Sequence, residues 1–66
     1  MPLSTAVFLD WIRTGHGLLR RGYQAVVGIA VAANNEDAAR AAKRCMELLS
    51  EMESENEKII HAFDRE

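Results

Sequence analysis

Apolar residues recur along this chain in two long stripes separated by a single polar break. The first stripe is Phe8, Ile12, Gly15, Leu19, Gly22, Val26, Ile29 and Ala33; the second is Ala38, Ala42, Cys45, Leu49, Met52, Asn56, Ile59 and Phe63. Their steps alternate between three and four, the repeat of one helix face packed on another. Asn34-Asn35 lies between them. Asparagine tolerates the left-handed conformation that closes a helix and is also a strong N-cap. Asn34 is therefore expected to close the first helix and Asn35 to open the second. The pattern predicts an all-α chain forming one domain: a helix over about 5–33, a turn at 34–35, and a helix over about 36–63, folded into an antiparallel hairpin.

The ends of the helices carry their own signals. Met1-Pro2-Leu3 reads as a lead-in and Ser4 as the first N-cap, with Leu3 and Phe8 at the two positions of a hydrophobic staple. Glu36 and Asp37 fall in the first turn of the second helix, where negative charge meets the positive end of the helix dipole. Glu36 and Arg40 are spaced for an i,i+4 pair. The first helix has a less regular interior, with Gly15, Gly17, Gly22 and Gly28 inside the periodic stretch. Each costs about 1 kcal/mol against alanine. Gly15-His16-Gly17 either breaks the helix or sits within it. The heptad register continues across without a slip, which favours an unbroken helix.

The apolar face is wider than one neighbour needs. Trp11, Leu18, Ala25 and Ala32 form a second row beside the first stripe, and Ala41 and Leu48 widen the second, with Ala39, Met46 and Ile60 on its other flank. A two-helix contact needs only a narrow seam, whereas a bundle core uses about three positions in seven. The excess predicts a dimer of hairpins, a four-helix bundle. Its expected core and dimer contacts are Phe8, Trp11, Ile12, Leu18, Leu19, Val26, Ile29, Cys45, Leu48, Leu49, Met52, Ile59 and Phe63.

Size strengthens that expectation. At 66 residues the chain buries little surface per residue, and such domains usually need a disulfide, a metal or a partner. One cysteine makes no internal disulfide. Net charge is −2, unevenly spread: Arg13, Arg20 and Arg21 stand against Asp10 in the first half, while residues 34–66 carry nine acidic side chains against five basic ones. The two helices should attract weakly. No secretory signal is expected, and the uncharged run from Ala25 to Ala33 is far shorter than a membrane span. A cytoplasmic protein that does not enter membranes is the expectation.

No constellation points to a reaction. Glu51, Glu53, Glu55 and Glu57 read as a solvated acidic face. His16 and His61 lack metal-ligand spacing, and Cys45 falls on the core stripe. The glycines around His16 lack the strand and the Gly-Lys-Ser/Thr ending of a phosphate loop. Neither metal, cofactor nor catalysis is expected.

Function must then lie in surfaces. Arg20, Tyr23, Gln24, Val27 and Val31 stand off the stripe as a mixed cationic, aromatic and aliphatic patch, of the composition enriched at interaction hot spots. The leading expectation is a homodimeric, non-enzymatic regulator that binds another protein and modulates its activity, inhibition being the favoured sign. Small accessory proteins of phages and plasmids often have this build. An RNA-binding regulator is the alternative. The chain is similar in length and topology, though in no particular residue, to the plasmid copy-number regulator Rop, a hairpin that dimerises and binds paired RNA loops along one face. That likeness implies nucleic acid as a partner, and Arg13, Arg20 and Arg21 would be the arginines facing it. An assembly subunit or chaperone pairing with a different chain is the third possibility.

Overall fold

A computed structural model describes residues 3–64; Met1 and Pro2, most of the expected lead-in, lie outside the described residues, as do Arg65 and Glu66. Two α-helices, α1 (Leu3–Ala32) and α2 (Glu36–Asp64), pack side by side. The resulting hairpin is 50 Å long and only 9 Å thick in its Cα trace. Helix α1 passes through all four glycines without interruption. Its capping differs from expectation at the N-terminus. Ser4 already lies inside the helix, and the expected staple is absent because Leu3 and Phe8 are both exposed. Phe8 instead meets the edge of Trp11, with ring centroids 5.3 Å apart.

The turn works as its two asparagines predict. Asn34 takes a left-handed conformation with φ 56°. The Asn34 N–H donates to the Val31 carbonyl at 3.1 Å and the Asn35 N–H to the Ala30 carbonyl at 2.8 Å, the two bonds of a Schellman closure. The Asn35 side chain then accepts from the Ala38 N–H at 3.1 Å, capping α2. Consecutive residues thus end one helix and start the next. Such a tight reversal forces the helices to run antiparallel and keeps their small turn-end residues, Ala30, Ala39 and Ala42, buried against each other.

The seam itself is rotated from the predicted one. On α1 it is made by Leu9, His16, Arg20, Tyr23, Val27 and Ala30, all buried or half-buried. The predicted stripe of Phe8, Ile12, Leu19, Val26 and Ile29 is exposed. On α2 the seam runs through Ala39, Ala42, Met46, Leu49, Glu53, Asn56 and Ile60, with Ala38, Cys45 and Phe63 half-buried at its edge. Ala42, Leu49 and Asn56 stay in the predicted stripe; Met52 and Ile59 turn outward.

The physical reason is a set of polar pairings that only the fold brings together. Arg20 Nη2 donates to Glu53 Oε1 at 2.6 Å and to Ser50 Oγ at 3.3 Å. His16, only 8% exposed, has its ring Nε2 3.3 Å from the Asn56 side-chain amide nitrogen. Among the described residues no buried side-chain nitrogen or oxygen lacks a partner. Residues that would be costly in a seam by themselves are therefore satisfied there. Along the outside of α2, Arg40 turns to Asp37 at 3.5 Å instead of the expected Glu36, and Arg44–Glu47 and Lys58–Glu55 close at 3.0 and 2.8 Å.

Candidate functional site

Turning the seam onto His16 and Tyr23 displaces the greasiest rows of both helices, and both swing to the same face of the hairpin. From α1 come Phe8, Trp11, Ile12, Leu18, Leu19, Val26 and Ile29; from α2 come Leu48, Met52 and Ile59. Ile29 is 68% exposed, Trp11 63% and Leu18 62%. The two rows lie side by side along most of the hairpin. They frame two shallow troughs, one between Gly15, Leu18, Leu19, Gly22, Tyr23 and Val26, the other along Leu48 and Met52 and edged by Glu51, Glu55 and Asn56. Glycine shapes the first trough. A Cβ added at Gly15 or Gly22 would meet no atom within 4 Å beyond its own stretch of helix, among the described residues.

The amount of uncovered surface can be set against a general scale. A folded monomer of 7.4 kDa exposes about 4,200 Å². The hairpin exposes 5019 Å². The excess of about 800 Å² is what each partner of a standard protein–protein interface buries. The interior is correspondingly thin: among the described residues the buried apolar ones are Leu9, Ala30, Ala39, Ala42 and Leu49, three of them alanines.

The opposite face is polar. The Arg20–Glu53 pair opens onto it beside Arg13, Gly17 and Glu57. Toward the turn it continues as a groove between Ala30, Val31, Asn35, Ala39, Arg40 and Lys43. This arrangement redistributes the predicted partner patch. Arg20, Tyr23 and Val27 belong to the seam between α1 and α2, while Gln24 and Val31 remain exposed. Of the three arginines in the predicted RNA-facing set, Arg20 is held by Glu53, and Arg13 and Arg21 are exposed. Among the predicted dimer and core residues, Leu49 is buried, Cys45 and Phe63 are half-buried, and the rest lie on the exposed apolar face.

Sequence reading missed Leu9, His16 and Glu53 as seam residues and gave Arg20, Tyr23 and Val27 to a partner surface; Ile60, expected on the flank of the second stripe, lies in the seam. His16 and Glu53 carried no local signal, since the partner of each lies 33 or more positions away. Leu9 stands one position from Phe8, about 100° around the helix, so α1 is turned by about a quarter-turn from the predicted stripe. Among the described residues no group of three His, Cys, Asp or Glu side chains is placed to hold a metal ion. Among these same described residues no helix is long and apolar enough to cross a membrane. Compared with known protein families, curated proteins and solved structures, the chain matches none.

Proposed function

We propose that this chain is a non-enzymatic interaction protein whose hairpin pairs through its apolar face with a second copy, forming a four-helix bundle, and that the bundle modulates another protein by binding it. The observation that carries this reading is the continuous apolar face of α1 and α2. Leaving Trp11, Leu18, Leu19 and Ile29 in water forfeits about 1 kcal/mol or more for each residue. A hairpin with five buried apolar residues among those described has little to set against that loss and against the conformational entropy of folding. Covering the face restores the balance.

Two features favour a protein over a nucleic acid as the bundle's target. Arg20 is engaged by Glu53, and α2 presents Glu47, Glu51, Glu55 and Glu57 to solvent, a field that repels phosphate. The surface left for a target is the polar face, including Gln24 and Val31, together with the groove at the turn. Sedimentation equilibrium between about 1 and about 100 μM tests the association. A dimer is expected across most of that range. A monomer at every concentration, with α1 and α2 intact by circular dichroism, would overturn the reading.

A further inference from the structure

The shape of the apolar face fixes how a second copy would sit on it, given the self-association proposed above. On α1, Gly15, Leu18, Leu19 and Gly22 stand at i, i+3, i+4 and i+7, the four corners of the hole that receives a side chain in helix packing. Two of the corners lack side chains, and all four residues line the trough on α1. The other two are leucines, 62% and 48% exposed, which are themselves the knobs such a hole accepts. The site therefore carries both halves of its own contact.

We propose that a second copy docks about a two-fold axis passing through this hole, with α1 crossing α1 of the second copy in antiparallel fashion and the two turns at opposite ends. Leu18 of one copy then meets Leu19 of the other, and Gly15 meets Gly22, so each leucine pair seats between glycines. The same axis places Phe8 opposite Ile29 and Trp11 opposite Val26. A heptad stripe is symmetric about several centres. Only the one between Leu18 and Leu19 overlaps α1 with its copy along nearly its full length and pairs both glycines.

Size matching along the hairpin agrees. The open end carries Phe8, Trp11 and Phe63, whereas the turn end is built from Ala30, Ala39 and Ala42. Turns at opposite ends set the bulky end of each copy against the slender end of the other. Turns at the same end would crowd the aromatic residues together and leave a gap by the alanines, and both errors are costly in a close-packed core.

The test places one spin label per chain near the turn, at Asp37→Cys with Cys45→Ala, and measures the distance between labels by pulsed electron resonance. Asp37 is about 20 Å along α2 from the axis, so opposite-end turns give a distance of about 40 Å. Same-end turns give less than about 25 Å, since neighbouring helices lie 8–10 Å apart. The short distance would overturn the proposed docking while leaving self-association standing; no dipolar signal, with a monomer in sedimentation, would overturn both. Gly22→Leu supplies a second readout. In the lone hairpin a Cβ at Gly22 meets no neighbouring atom within 4 Å. In the dimer the new side chain fills the hole, and the dissociation constant should rise at least tenfold. An equal or tighter dimer would overturn the docking.

Discussion

Replacing Leu19 by Asp separates a lone hairpin from a self-associating one. Leu19 is 48% exposed and has no role in the seam between α1 and α2. Fully burying a leucine is worth about 1.5–3 kcal/mol, so in the lone hairpin Leu19→Asp removes at most about 1 kcal/mol. In the bundle the change acts twice, once per copy. Each copy loses the remaining burial, again about 1 kcal/mol, and holds a carboxylate against leucine where no donor waits for it. Desolvation adds at least about 1 kcal/mol per copy even if the carboxylate partly escapes to water. The dimer should lose about 4 kcal/mol or more, close to a thousandfold in its dissociation constant. Sedimentation equilibrium of wild type and variant reads this directly, with circular dichroism to follow helix content. Gln24→Asp, an exposed substitution on the other side of the seam, is the control and should leave association unchanged. If Leu19→Asp self-associates as wild type does, the apolar face is not the contact and the reasoning fails.

Two further substitutions probe the hairpin itself. Leu49→Ala empties the most buried apolar position of the seam, 3% exposed, and should cost about 2–5 kcal/mol, read as a lower midpoint in urea titration; a loss below about 0.5 kcal/mol would show that the seam is misplaced. Asn35→Ala removes the side chain that accepts from the Ala38 N–H and should cost about 1 kcal/mol, with faster amide exchange confined to the first turn of α2; unchanged exchange there would refute the capping role.

The seam also explains why such polar residues lie between two helices. The Arg20–Glu53 pair is about one-third exposed on both sides, so its contribution is of the order of 1 kcal/mol at most. Its larger effect is on register. Arg20 with Glu53 and His16 with Asn56 are satisfied only when α1 and α2 are rotated as observed. Any rotation that brought Leu19 and Val26 into the seam would push His16 and Arg20 away from these partners. The pairings thereby keep the apolar rows together on a single free face, which is the property the proposed function uses.

Approximate helix lengths and the two roles at Asn34 and Asn35 follow from the sequence by itself; the repeat favoured an unbroken passage through the four glycines, and the structure settled it. Each depends on interactions within a few residues: periodicity, a left-handed closing residue, a side chain reaching three positions along to a free amide. The excess of apolar positions was legible too, because counting needs no azimuth. Which row of α1 faces α2 was decided only by the tertiary structure. Two adjacent rows satisfied the same repeat, and the residues that chose between them, His16, Arg20, Glu53 and Asn56, resemble surface residues until the fold brings them together. Periodicity selects the set of positions along a helix that are greasy; the direction that set points depends on pairings between residues far apart in the chain, and those exist only once the hairpin has closed.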